Sequence, residues 1–341
     1  MRNFKKVFPR ICAVLAFVII FESAVRFAYE DWDTLTTVSR TERRELTGTL
    51  DTLFCGTSVV YRAVNPVTYD EKMGTSSYNT ATASQPVKGT YYLIQEAVEQ
   101  NPIKEIYLGI TIPTLKAERL DIRYVSAFEN MLTWKWKLRY LMSLKSEPIL
   151  TTALFYSTRV EHYYQPRLVL ENVKSKLTNK KARTYGQRGF RASNKVYKGG
   201  GGSEKNSDGN YWDGTLGAEQ IEPETLEYLK KIAEFCKEKD IKFTIFIAPW
   251  TQDYIDGAGD LDDMNRVCQE LAEELDIDFY NFLLYKNRQE EFGNDKFKDT
   301  QHFNKKGGNT FTDLLAEVVA SENPQEYFYD SMEEFAYAPG N

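Results

Sequence analysis

Two short stretches at opposite ends of the chain hold the residue types that acyl transfer needs. Near the front, Phe54-Cys55-Gly56-Thr57-Ser58 puts a serine just after a short apolar run. A hydroxyl at the carboxyl end of a strand stands on the rim of a parallel sheet, where open α/β folds bind ligands. Near the back, Asp299-Thr300-Gln301-His302-Phe303-Asn304 precedes Gly307-Gly308. A carboxylate three residues before a histidine can accept from one ring nitrogen. The other nitrogen is then left to take a proton from a serine. Each stretch also has a structural alternative: Ser58 as a helix N-cap, and Asp299 as the cap of a surface turn. The chain has only two histidines, His162 and His302. That leaves almost no room for a site built on several His ligands, and no metal or cofactor is expected. His162, in Val160-Glu161-His162-Tyr163-Tyr164, has only the adjacent Glu161 and reads as structural or surface.

These two stretches must be brought together by the elements between them. Leu50 to Cys55 is a short strand candidate, and Gly89 to Glu99 has helical spacing. Ile103 to Ile112 reads as a buried strand, Glu222 to Lys239 as a helix with Pro223 in its first turn, and Ile241 to Ala248 as a strand stopped by Pro249. Val267 to Leu275, Ile277 to Phe282 and Thr310 to Ala320 continue the alternation as helix, strand and helix. The pattern predicts an α/β domain: a parallel sheet between two helical layers. It breaks at about residues 115–217, a mostly helical insert that interrupts the domain without forming one of its own. In the insert, Phe128 to Leu144 is an amphipathic, aromatic and basic helix, read first as packing on the core and second as lying on a membrane surface. Arg167 to Lys198 holds ten Lys and Arg against one acid. It reads as a solvated surface, with anionic polymer or lipid head groups as the lesser alternative. Gly199 to Gly202 reads as a flexible stretch.

Arg2, Lys5, Lys6 and Arg10 precede the apolar run Ile11 to Phe21, inside a window from Val7 to Ala28 that is long enough to cross a bilayer. Basic residues before it and Glu30, Asp31 and Asp33 after it predict an uncleaved single-pass anchor at the cell membrane, N-terminus cytoplasmic and body extracytoplasmic. A cleaved signal peptide is the alternative, but no small-x-small site is evident. The expected organisation is a cytoplasmic tip and anchor over 1–30, a linker with a first helix over 31–48, the α/β domain over 49–320 and an acidic, aromatic tail over 321–341. A net charge of −6 argues against nucleic acid as a partner. The four cysteines, Cys12, Cys55, Cys236 and Cys268, show no CxxC spacing. A Cys236–Cys268 disulfide is open to an extracytoplasmic protein, but two buried thiols are the preferred reading.

The early Gly56-Thr57-Ser58 and late Asp299-Thr300-Gln301-His302 resemble the SGNH/GDSL hydrolase superfamily, which has a nucleophilic serine after the first strand and a late DxxH. The anchor, Gly56–Pro66, the segment around Ile241–Trp250 and Asp299–Gly308 resemble more narrowly the membrane-anchored DltD/AlgX-like branch. The resemblance covers residues 50–112 and 222–318 and leaves the insert out. It implies a three-layer, flavodoxin-like SGNH fold and a triad of Ser58, His302 and Asp299. It further implies an acylated glycan or cell-wall polymer as substrate, and a membrane-bound O-acyltransferase as a working partner. The usual GxND block is missing, because the matching strand reads Tyr107-Leu108-Gly109-Ile110-Thr111-Ile112-Pro113. Asn79 is then the amide candidate for an oxyanion hole completed by the Ser58 N–H, with a turn asparagine as its alternative. Trp250, at the end of a strand, is a candidate for stacking on sugar, with a packing role equally open. Three functions follow as expectations: an anchored esterase or O-acyltransferase, a lipase or esterase acting on soluble substrates, and a non-catalytic scaffold that binds glycan or a membrane partner.

Overall fold

Short runs rich in β-branched and aromatic residues form the five strands of one sheet. They are β1 (Thr52–Gly56), β2 (Ser77–Asn79), β3 (Glu105–Gly109), β4 (Lys242–Ile247) and β5 (Asp278–Asn281). The computed structural model describes residues 4–30, 34–116, 121–144, 147–159, 165–178, 187–200 and 220–337. All neighbouring strands are parallel, in the order β2-β1-β3-β4-β5. In that order the chain reverses direction across the sheet between β1 and β3, and such a switch point opens a crevice beyond the carboxyl ends of the strands.

The helices among the described residues are α1 (Phe4–Tyr29), α2 (Leu35–Glu45), α3 (Ser58–Ala63), α4 (Pro66–Met73), α5 (Val87–Gln100), α6 (Ile112–Lys116), α7 (Asp121–Asn130), α8 (Trp134–Ser143), α9 (Glu147–Leu154), α10 (Pro166–Leu177), α11 (Pro223–Glu238), α12 (Gln252–Asp256), α13 (Leu261–Leu275), α14 (Arg288–Glu291), α15 (Lys305–Ala320) and α16 (Met332–Tyr337). Alternate strand residues point to opposite faces. Leu53, Cys55, Ile106, Leu108, Ile245 and Ile247 therefore pack under α5, α11 and α13, while Phe54, Tyr107 and Phe246 pack under α3, α4 and α15. Helices thus cover both faces, giving three layers.

The expected alternation is present, with corrections at its edges. The strand read as Ile103 to Ile112 ends at Gly109, and Ile112 begins α6. The helix read over Phe128–Leu144 is two helices, α7 and α8. The break has a distant cause. The buried Glu96 carboxylate on α5 accepts the backbone N–H groups of Leu132 and Thr133, which supplies the N-terminus of α8 with an acceptor. The insert has an apolar cluster of its own, Phe128, Met131, Trp136 and Tyr140 among others, but completes it with Leu93 of α5. The first helix expected within residues 31–48 is α2, whose buried Arg43 donates to Asn130 of α7. The described part of the C-terminal tail lies against the body through buried Phe328 and Phe335. Cys55, Cys236 and Cys268 are buried free thiols, and burial pushes each up to about 12. His162 lies outside the described residues.

Val7–Tyr29, within α1, is a 23-residue stretch whose most apolar 18-residue window has mean hydropathy 2.2, and no part of that window is buried in the protein. It is long and apolar enough to span a membrane.

Candidate active site

Ser58 stands where β1 turns into α3. Thr57 takes the N-cap position, so the hydroxyl of Ser58 does not cap the helix. Ser58 and Val59 open the first turn of α3, where N–H groups have no intrahelical acceptor. The turn is tight because two glycines face each other in the strand register, Gly56 on β1 and Gly109 on β3. Gly56 has φ +138°, and a Cβ there would lie 2.6 Å from the Gly109 carbonyl oxygen and 2.7 Å from Val60 Cγ2. A Cβ on Gly109 would lie 2.3 Å from the same Val60 methyl. Glycine at both positions therefore lets α3 lie directly on the sheet edge.

Asn79 and α15 hold the other end of α3. Both amide hydrogens of Asn79 go to main-chain carbonyls, those of Val60 and Val64, each at 3.0 Å, and its Oδ1 accepts from Ala81 N–H. Thr312 of α15 accepts from Asn65 N–H at 2.9 Å, and its hydroxyl, which also faces the Gly308 carbonyl, lies 3.2 Å from the Ala63 carbonyl. Asn79 is thus a clamp on the helix that carries Ser58. It has no hydrogen left to give a reacting carbonyl, which corrects its assignment to an oxyanion hole.

His302 arrives on a hairpin-like loop. Phe297 and Phe303 stack at 4.6 Å across its base, Lys298 N–H donates to the His302 carbonyl, and Asn304 N–H donates to the Lys296 carbonyl. Asn304 also caps α15 through Gly307 N–H. In the loop tip, Asp299 Oδ1 accepts from the backbone N–H groups of Gln301 and His302 and, at 2.8 Å, from His302 Nδ1. That bond fixes the tautomer, so Nε2 is the acceptor, 2.8 Å from Ser58 Oγ. The serine, histidine and aspartate are joined in one line across 244 positions of sequence. Lys298 Nζ lies 2.7 Å from Asp299 Oδ2. Burial opposes the charge on Asp299. The hydrogen bond and charge of His302, followed by Lys298, nonetheless hold the carboxyl well below the usual range. Ser58 and His302 are half-buried, open enough for a reactant to reach.

The segment after Pro249-Trp250 holds the His302 loop from the side. Thr251 donates to the Thr300 carbonyl through both N–H and Oγ1. Trp250 itself is 1% exposed and packs edge-on against Tyr254. It has no free face for a sugar, which corrects the stacking assignment and leaves the packing role. Thr111, just beyond β3, has its hydroxyl 3.0 Å from that of Thr114 and accepts from the Thr114 N–H.

Sequence reasoning missed three supports: Lys298, Thr251 and Thr312. Lys298 adjoins Asp299 and was there to be found. The two threonines carry no local signal, because their partners are remote in sequence. It also missed a strap over residues 187–200. Arg188 pairs with Asp70, Arg191 N–H donates to the Tyr61 carbonyl on α3, and Arg62 Nη1 donates to the Arg191 carbonyl. Lys305 N–H donates to the Ser193 carbonyl, Tyr197 N–H donates to the Phe297 carbonyl, and the Tyr197 hydroxyl donates to Asp253. Gly200 N–H donates to the same carboxylate, so the described part of the expected flexible glycine stretch is tied down. The strap binds together the helix that carries Ser58, the base of the His302 loop and α12. Among the described residues no cluster of His, Cys, Asp and Glu is arranged to hold a metal. A scan against protein-family models finds no match for this chain, and a search of the curated proteins finds none either.

Proposed function

We propose that the chain is an extracytoplasmic serine enzyme of the SGNH type, anchored by α1 with its N-terminus in the cytoplasm, and that it moves acyl groups on cell-surface or secreted polysaccharide. One observation carries the chemistry: Ser58 Oγ, His302 Nε2, His302 Nδ1 and Asp299 Oδ1 are linked by two 2.8 Å hydrogen bonds. In the reaction Ser58 Oγ attacks an ester carbonyl as its proton passes to His302 Nε2. Asp299 stabilises the imidazolium and stays ionised. In this reading the tetrahedral oxyanion forms above the start of α3 and accepts from the Ser58 N–H. Collapse expels the alcohol, which takes the proton from His302 and leaves an ester on Ser58. Water or a sugar hydroxyl, deprotonated by the same nitrogen, then resolves the acyl-enzyme. Water makes the protein an esterase; a hydroxyl makes it an O-acyltransferase working beside a membrane-bound partner.

A second reading, a scaffold of the same fold that binds glycan without turnover, draws on one fact: Asn79 spends both amide hydrogens inside the protein. Fluorophosphonate labelling of the purified protein separates the two. The enzyme predicts labelling that disappears in both Ser58→Ala and His302→Ala. An unlabelled, folded wild type would favour the scaffold. An acetylated oligosaccharide, with and without a glycan acceptor, then distinguishes hydrolysis from transfer.

A further inference from the structure

We infer that the insert is a second membrane contact: exposed apolar side chains of α8, of the α9 end and of α10 lie in the headgroup–acyl boundary of the same bilayer that α1 crosses. The inference rests on the reading of α1 as a membrane span. It goes beyond that reading by placing a surface of the extracytoplasmic body in lipid.

Depth along α1 carries the argument. Glu22, seven residues before Tyr29, accepts from Ser157 N–H at 3.0 Å and from the Ser157 hydroxyl. Seven helical residues are about 10 Å. The 23-residue span is about 35 Å long, against a hydrocarbon core of about 30 Å. If the whole excess of about 5 Å projected from this end, Glu22 would still lie about 5 Å inside the hydrocarbon. Tilt only shortens the excess. A carboxylate at that depth needs donors from protein, and the turn Tyr156–Arg159 supplies them. That turn follows Leu154 and Phe155 directly, and both are exposed. The insert therefore descends beside the span to a level where exposed apolar side chains meet acyl chains.

Two further elements continue the surface. On α10, Asn172 donates to the Ala28 and Glu30 carbonyls at the end of α1, and exposed Leu170 and Leu177 flank that contact in sequence. On α8, Trp136 and Tyr140 are buried in the insert core, while Trp134, Leu138 and Met142 are exposed, Met142 to 78%. The two sets are offset by two residues, or about 200° around the helix. α8 thus has a second apolar stripe on the face away from its core. Exposed Lys135 and Arg139 border the stripe, as basic side chains border the apolar face of an interfacial helix. Where α1 meets the body, Arg26, Arg40 and Arg159 all pair with the nearly buried Glu129 carboxylate of α7. This cluster fixes the insert to the end of the span and sets the height of the body above the bilayer.

The test places one nitroxide at a time on the full-length protein in phosphatidylcholine–phosphatidylglycerol vesicles. Accessibility to oxygen, concentrated in lipid, is compared with accessibility to a water-soluble nickel chelate. Exposed Cys12 of α1 is labelled in the wild-type sequence. In a Cys12→Ser background the label goes on Met142→Cys, Phe155→Cys or Leu170→Cys, with Glu273→Cys on α13 as the aqueous control. Thermal melts confirm that each variant is folded. The expected result is an oxygen-to-nickel ratio several-fold above the control at positions 142, 155 and 170, with Cys12 higher still. A high ratio at Cys12 with control values at the other three overturns this inference and leaves the span intact. A control value at Cys12 overturns the span reading itself. If the three sites are aqueous in pure lipid and become protected only in native membranes, a membrane protein covers the surface, and the lipid assignment is wrong.

Discussion

The closeness of α3 to the sheet can be tested with one methyl group. In Gly109→Ala the added Cβ would sit 2.3 Å from Val60 Cγ2 and 2.9 Å from Phe246 Cζ. Ordinary carbon contact begins near 3.5 Å, so α3 must retreat by about 1 Å. Ser58 lies on the same turn as Val60, and its Oγ now sits 2.8 Å from His302 Nε2. The same retreat would open that separation to roughly 3.8 Å, beyond a hydrogen bond. Such a misplacement costs about 100-fold in rate. Overpacking costs about 1–3 kcal/mol of stability, or a Tm drop of several degrees in a domain of this size. The assay is the second-order rate of fluorophosphonate labelling, read beside a thermal melt. Val60→Ala in the same chain removes the clashing methyl, so the double variant should recover most of the lost rate. A folded Gly109→Ala protein that labels at the wild-type rate would refute the idea that this contact sets the position of Ser58. So would a double variant as slow as the single one.

Three other predictions follow from the same geometry. Asn79→Ala removes a donor from both the Val60 and Val64 carbonyls; Val60 keeps the Val64 N–H, so the cost is about 1–3 kcal/mol for the Val64 carbonyl left unsatisfied; the Tm should fall along with the labelling rate, whereas an oxyanion role would lower the rate alone. Trp250→Ala empties a fully buried site and costs about 3–5 kcal/mol, read as a lower denaturation midpoint, with no separate loss of glycan affinity in whatever remains folded. Glu129 is the pH-sensitive joint. Burial opposes its charge, but Arg159, Arg26 and Lys137 bring it down to about 2. A carboxyl depressed by folding adds stability that is full above its unfolded value, near 4.3, and is lost as the pH falls toward about 2. That contribution is on the order of 3 kcal/mol. Denaturation midpoints of Glu129→Gln measured across that window should show a flatter acid limb than the wild type, and an unchanged limb would remove Glu129 as its source.

Much of the frame was legible because its signals are local. An apolar run ended by Pro249 marks β4, Pro223 marks the start of α11, and an unbroken apolar stretch marks α1. Asp299 and His302 were legible as a pair because three positions of a tight loop suffice for a carboxylate to reach Nδ1. The errors share an opposite property. Glu96 splits α7 from α8 across 36 positions, which no helical periodicity records. Asn79 looks the same in sequence whether its hydrogens point at substrate or at Val60 and Val64. Trp250 ends a strand in either role, and only the layer packed above it decides whether a ring face is open. Sequence therefore sufficed wherever a preference is satisfied within a few residues of its source. Tertiary structure decided wherever a polar group had to choose among distant partners, because burial makes every hydrogen bond an exclusive commitment. The meeting of Ser58 with His302 belongs to both: each end was readable in sequence, and the 2.8 Å between them depends on the sheet.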